Sequence, residues 1–508
     1  MISSITLREL VRGIPGAVVE GPLDRPVTGL TYDSRRVTPG MMFFAVPGLN
    51  VDGHEYIPTA VARGASAIVC ERNGFVPHRA TKIKVPETRE ALALASAIFY
   101  GHPSRRLKVV AVTGTSGKTC VVFILRAMLA AAGGSPGLIS TVRHEVGDRV
   151  IPALRTTPEA PEVQQMLAAM VRAGCRACVL EVSSHGLEQH RVGGVEVDLA
   201  VFTNLGADHL EHHGGLENYY AAKKRLFTAL PAGAKRGGSV INIDDAWGHR
   251  LAGETSAEVR MTYGLGDAAS LRATSIRLGA DDSRMVVEGP GVRFECRFPL
   301  VGRHNIYNVL AAVGAALVLK LPVETIRRAL ATLPPIPGRL EPVICGQPFR
   351  VFVDYAHTEE ALRETLVTLR DLTPGRVLLA FGCGGTRDTA KRPRMGAVAA
   401  ERADFTLITT DNPRRESAAD IAAQVAAGCA AVRADGWELE LDRARAIDRL
   451  LRMAAPGDTV LIAGKGHETY QEFDATVIPF DDREQARETL DILGFAPGRS
   501  HRPAAVRH

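Results

Sequence analysis

The stretch Lys108-Val109-Val110-Ala111-Val112 passes through Thr113 into Gly114-Thr115-Ser116-Gly117-Lys118-Thr119, and an Ala/Leu-rich stretch follows to about Ala132. The first run is too short and too β-branched for a helix, so this part of the chain is committed to strand, tight loop and helix. A glycine-rich loop in that setting is a phosphate cradle. Its glycines let backbone N–H groups approach phosphate oxygens, and the helix N-terminus adds favourable partial charge. Lys118 can reach the β- and γ-phosphates, and the Thr119 hydroxyl can ligate Mg²⁺. The spacing is shorter than the full G-x-x-x-x-G-K-[ST] pattern. An ordinary glycine turn with a solvated lysine is the alternative, and the flanking strand and helix argue against it.

The 508 residues suggest about three domains. Breaks at His102-Pro103-Ser104-Arg105-Arg106 and Leu333-Pro334-Pro335-Ile336-Pro337-Gly338 divide them. The expected class is α/β in three domains: a small one over 1–105, a central P-loop mononucleotide-binding domain over 106–338, and a doubly wound, Rossmann-like domain over 339–508. Central strands are expected at Cys178–Val182 and Leu199–Phe202, with a hairpin over Met285–Phe298 around Gly289-Pro290-Gly291. C-terminal strands are expected at Val351–Asp354, Val377–Phe381, Phe405–Thr409 and Val460–Ala463. Binding loops in such sheets follow the carboxyl ends of the strands.

Lys+Arg 61 against Asp+Glu 56 leaves +5, too weak an excess to predict a nucleic-acid footprint. Residues 1–16 lack the apolar core of a signal peptide, and the best apolar run, Val309–Leu319, is too short for a membrane span; the cytoplasm is the expected compartment. Eight scattered cysteines fit reduced thiols, and Cys175 and Cys178, although spaced CxxC, lack the second pair of a zinc ribbon.

Glu181 ends an apolar run, where a parallel strand would deliver a carboxylate beside the phosphate loop as a Mg²⁺ ligand or water anchor. Asp208, His209, His212 and His213 crowd the segment after the next strand. In isolation they suggest zinc, but a phosphate loop calls for oxygen-held Mg²⁺, so Asp208 and His209 are expected at the site and His212 and His213 in structural roles.

The phosphate loop, the run Glu181 to Arg191, Thr203-Asn204-Leu205 followed by Asp208-His209-Leu210, and Tyr220-Ala221-Ala222-Lys223 together resemble the Mur ligases, the ATP-dependent amino-acid ligases of peptidoglycan synthesis. The likeness runs from about Asp33 to beyond Glu468 and is strongest to the branch that adds the third stem-peptide residue.

The resemblance implies that Lys223 carries CO₂ as a carbamate (N6-carboxylysine), turning a cation into an oxygen ligand for a second Mg²⁺; Lys224 is the register alternative. Lys118, Glu181, His209 and Lys223 would then be catalytic, with Thr119, Glu181, His209 and Lys223 on metal. ATP would meet Gly114 to Thr119, Asn305, Arg339 and Asp354. The UDP-N-acetylmuramoyl-dipeptide would meet Ser34, Thr156, Thr157, Ser183, Gln189 and Arg191. Arg387, Asp411-Asn412-Pro413-Arg414, Gly464 and Glu468 would receive meso-diaminopimelate, whose added carboxylate a guanidinium can clamp. Ser116, Cys120, Glu359 and Thr386 depart from the family pattern, and Leu49-Asn50-Val51 fills a variable uridine-contact segment. The other readings are the same ligase using L-lysine, a folylpolyglutamate synthetase-like ligase, and a P-loop kinase or switch that does no ligation.

Overall fold

The computed structural model describes residues 5–48, 51–72, 79–208, 210–230, 235 and 237–495. His209, Asn50 and the basic tail 497–508 thus lie outside the described residues. The chain divides into two compact units: Met1–Thr274 with Val287–Phe294 and Tyr307–Ala329, and Ser275–Val286 with Glu295–Ile306 and Leu330–His508. The α/β class expected from the alternation is the class observed.

The first unit holds two sheets. A five-stranded sheet runs in the order Val18–Glu20, Thr81–Lys84, Ala67–Cys70, Met42–Phe44, Leu30–Thr31, with only the first pair antiparallel. Its apolar face takes Leu7 and Leu10 from a helix that starts with a Thr6–Glu9 capping box. The larger sheet has a parallel centre in the order Gly238–Asn242, Leu199–Phe202, Lys108–Thr113, Ala177–Glu181, Gly137–Ile139. Val109, Val110, Ala111 and Val112 are all fully buried, because both faces of a parallel strand are covered; hence the unbroken apolar run in the sequence. The expected hairpin is present as Ser283–Gly289 and Val292–Phe298, turning at Gly291 in the left-handed region. Arg89 pairs with Glu159 at 3.2 Å, joining the helix Thr88–Phe99 to the start of the helix Ala160–Arg172.

The second unit has a six-stranded sheet ordered Glu341–Pro342, Arg350–Asp354, Thr459–Ala463, Val377–Phe381, Phe405–Ile408, Trp437–Leu439, parallel except for its first pair. Separate apolar clusters cover its two faces, so it is doubly wound. The strand order brings the loops after Asp354, Phe381, Ile408 and Ala463 to one end. A small hairpin, Tyr470–Phe473 with Thr476–Pro479, follows. All eight cysteines are buried and unbridged. Among the described residues no helix is long and apolar enough to cross a membrane.

Candidate active site

The register of the central strands sets the site. Glu181 lies opposite Val112 and Phe202 opposite Thr113, so the loops after three adjacent strands open at one level. The phosphate loop is shaped by its neighbour: Asn204 O accepts from Thr115 N at 2.9 Å, Asn204 Oδ1 accepts from Ser116 N at 2.9 Å, and the Thr203 hydroxyl donates to Ser116 O at 2.6 Å. The backbone of Ser116 is thus fixed whatever its side chain, which explains how serine is accommodated there. Gly114 has φ 152°, and a Cβ on it would stand 1.8 Å from Thr203 Oγ1; Gly117 has φ 84°, and a Cβ there would stand 2.2 Å from Asn308 Oδ1. Gly114→Ala is therefore expected to cost about 1–3 kcal/mol through strain and overpacking, read as a lowered Tm. A variant with the parent's Tm would mean that the loop and Thr203 move apart freely.

Lys118 Nζ donates to Gly114 O at 3.0 Å and to Thr115 O at 2.7 Å, and Thr119 is buried at the helix start. Lys223 Nζ donates to the same Gly114 O at 2.8 Å and lies 4.2 Å from the centre of the Tyr219 ring. Lys223 is 1% exposed, and burial, then the like charge of Lys118, pushes its ammonium well below the ordinary lysine range, with Asp208 opposing. Lys224 instead pairs with Glu254 at 2.9 Å with about a third of its side chain exposed. Burial thus singles out Lys223 of the two as the lysine able to present a neutral amine.

Glu181 is fully buried, and its Oε2 accepts from the Thr141 amide at 2.8 Å and from the Thr141 hydroxyl. Its Oε1 is buried with no hydrogen-bond partner among the described residues. An unsatisfied buried carboxylate oxygen beside a phosphate loop fits a hard divalent cation, which takes oxygen ligands. Thr119 and Glu181 offer such oxygens.

Four of the residues expected at the nucleotide sugar gather beside Glu181. The Thr157 hydroxyl donates to Glu181 O at 3.0 Å and accepts from Ser183 N at 3.0 Å; Arg191 donates to Thr157 O at 2.9 Å and to Gln189 Oε1 at 2.6 Å. Thr156 joins through Thr141, whose hydroxyl contacts it at 3.0 Å. Ser34 lies in the turn Ser34–Arg36, after Tyr32, whose hydroxyl reaches Glu162 at 3.1 Å.

In the second unit, Asn412 donates to Glu468 at 2.8 Å, and the fully buried Lys465 donates to both Asn412 Oδ1 and Glu468 Oε2 at 3.0 Å. Arg414, with φ 54°, donates from Nε to Glu472 at 2.9 Å and from NH1 to Gly385 O at 2.8 Å. A Cβ on Gly464 would stand 2.7 Å from Asp411, and one on Gly385 would stand 1.9 Å from Pro413 O. Asp411, Asn412, Pro413, Arg414, Gly464 and Glu468 are thus brought together, while Arg387 is exposed on the neighbouring loop. Elsewhere, Asp354 accepts from Leu340 N at 2.6 Å and Ala356 N at 2.8 Å; burial raises its carboxyl, with Arg339 opposing. Arg339 lies 4.7 Å from the Tyr355 ring centre, and Asn305 donates to Val301 O at 2.8 Å.

Sequence reasoning missed Thr141, Tyr219, Lys465, Glu472 and the buried Arg392. Arg392 grips Glu416 at 2.8 Å, and Glu416 in turn accepts from the Thr386 amide just before Arg387. Tyr219, one helical turn before Lys223, and Lys465, between Gly464 and Glu468, carried local signals.

Residues 112–316 match the Mur ligase middle domain, 338–466 the Mur ligase glutamate ligase domain, and 26–100 the Mur ligase family catalytic domain. The chain belongs to the Mur ligase family. It is 44% identical to the UDP-N-acetylmuramoyl-L-alanyl-D-glutamate–2,6-diaminopimelate ligase of Solibacter usitatus, over 92% of this chain and 94% of that one. It is 41% identical to the UDP-N-acetylmuramyl-tripeptide synthetase of Roseiflexus sp., over 96% and 99%. A solved UDP-N-acetylmuramoyl-L-alanyl-D-glutamate–2,6-diaminopimelate ligase superposes with a TM-score of 0.68 at 29% identity, over 97% and 99%. The MurF ligase of Thermotoga maritima in complex with ADP shares the fold, with a TM-score of 0.61 at 19% identity over 91% and 97%.

Proposed function

We propose that this chain is an ATP-dependent amide ligase of peptidoglycan synthesis that joins meso-2,6-diaminopimelate to UDP-N-acetylmuramoyl-L-alanyl-D-glutamate. The observation that carries the reading is the meeting, at the ends of adjacent parallel strands, of a phosphate loop, a buried Lys223 and a Glu181 oxygen with no partner among the described residues. The names of relatives matching over 92% or more of the chain support the substrates.

In this reading Lys118 and the loop amides bind the ATP phosphates, Lys118 giving up the carbonyls of Gly114 and Thr115. The D-glutamate γ-carboxylate attacks the γ-phosphorus and ADP leaves, giving an acyl phosphate. The diaminopimelate amine attacks the acyl carbon, phosphate leaves with its electron pair, and the amine proton passes to phosphate or solvent. Thr119, Glu181, His209 and a carbamoylated Lys223 would hold Mg²⁺, which when bound supplies charge to offset a carboxylate meeting a triphosphate. Neutral Lys223 adds to CO₂ through its Nζ and releases a proton. Asn305, Arg339 and Asp354 would take the nucleoside, and Ser34, Thr156, Thr157, Ser183, Gln189 and Arg191 the UDP-sugar.

Phosphate release is expected to require the UDP-linked dipeptide and the amino acid together; hydrolysis of ATP without them would turn the assignment toward a switch or motor. With both present, meso-diaminopimelate should be used well ahead of L-lysine. Arg414→Ala should lower kcat/KM for diaminopimelate at least about tenfold, the loss of a charged hydrogen bond of roughly 1.5–3 kcal/mol. Equal use of lysine, or an unchanged kcat/KM, would overturn the role of Arg414.

A further inference from the structure

Three histidines gather on two short helices of the first unit. His185 lies on Ser184–Glu188, while His212 and His213 lie on Leu210–His213. Each offers a ring nitrogen, and these nitrogens all lie within 4.8 Å of one another. The rings of His185 and His212 are 4.1 Å apart between centres. Glu188, one helical turn after His185, lies against two of them, His212 and His213. Its Oε2 lies 2.8 Å from His212 Nε2 and 3.6 Å from His213 Nδ1, so two imidazole nitrogens converge on one carboxylate oxygen.

The surroundings are those of a metal shell. His213 Nε2 contacts the Ser184 hydroxyl at 3.0 Å, which orients the ring so that Nδ1 faces Glu188, the role an outer-shell partner plays for a ligating histidine. His213 also packs on Tyr219, 4.9 Å between ring centres. Its side chain is 2% exposed, whereas that of Glu188 is 42% exposed, so the group is buried at one end and open to an entering ion at the other. Stacked core histidines would pack as well without a shared carboxylate. Neutral imidazoles with one carboxylate suit a borderline ion such as Zn²⁺, whereas Mg²⁺ prefers oxygen throughout.

We propose that His185, His212, His213 and Glu188 form a binding site for a divalent transition metal of the zinc type, with a ligand set distinct from the oxygens of Thr119 and Glu181. Binding replaces the His212–Glu188 hydrogen bond with bonds to the metal and ties the Ser184–Glu188 turn to the 210–213 turn. It does not rest on the ligase reading.

The test is equilibrium dialysis of the full chain against Zn²⁺ in excess Mg²⁺, with Co²⁺ as a spectroscopic substitute. One Zn²⁺ per chain is expected, with a Co²⁺ visible band of imidazole coordination. His212→Gln and Glu188→Gln should each weaken retention at least about tenfold and remove that band, while Glu181→Gln leaves both in place. Glu188, being partly exposed, decides the matter if the His212 variant folds poorly. No zinc retained by the parent chain, equal retention by both variants, or loss only in Glu181→Gln would overturn the site.

Discussion

Lys223→Ala is expected to lower kcat/KM by about a thousandfold, the upper end of what removal of one charge-stabilising group costs, while Lys224→Ala stays close to the parent. The physical difference between these neighbours is burial: Lys223 points at Gly114 O under the Tyr219 ring, and Lys224 reaches Glu254 at the surface. A carbamate forms only on a neutral amine, and the displacement of Lys223 below the ordinary lysine range, caused first by its burial, enlarges that fraction. Two further results follow. Depleting CO₂ should slow the parent enzyme and restoring bicarbonate should recover it, whereas the residual rate of Lys223→Ala should not respond. Loss of activity in Lys224→Ala would move the role by one residue, and a parent indifferent to CO₂ would remove the carbamate.

The second large effect is on stability. Arg443 and Asp482 are both fully buried, joined by two hydrogen bonds of 2.7 Å, and Arg443 also donates to Ala463 O at 2.9 Å and Thr410 O at 3.4 Å. Those carbonyls immediately precede Gly464 and Asp411. Arg443→Met strands a buried carboxylate, and the expected loss is about 3–5 kcal/mol, read as a fall in Tm. The double variant Arg443→Met/Asp482→Leu should recover much of the loss, since removing both members of a buried pair is far less costly than removing one. It should still raise KM for the amino acid, because the two carbonyls lose their common donor. A single variant as stable as the parent would mean that water reaches Asp482.

Much of the site was legible because it lies where chain and chemistry coincide. The Lys108–Thr113 strand, its glycine loop and Glu181 are local patterns, and the loop after each C-terminal strand follows from the alternation itself. Partners supplied from afar were not legible. Thr141 sits 40 positions before Glu181, and Glu472 is 58 positions after Arg414, so no spacing announces them. The edge strands Glu341–Pro342 and Trp437–Leu439 escaped because two or three half-exposed residues make no apolar run. His185 stands in the run Glu181 to Arg191, 27 residues before His212, so no spacing in the sequence joins it to His212 and His213.

The ion pair between Arg414 and Glu472 gives selection an unexpected form. The guanidinium proposed to recognise the acceptor is held by a carboxylate of its own chain, so an incoming carboxylate trades places with, or shares the arginine with, a resident rival. Affinity then measures the difference between two anions rather than the strength of one contact. If Arg414 receives the acceptor as proposed, an amino acid lacking the extra carboxylate could not compete in that trade, and the cost of prising Arg414 from Glu472 would become part of what excludes it.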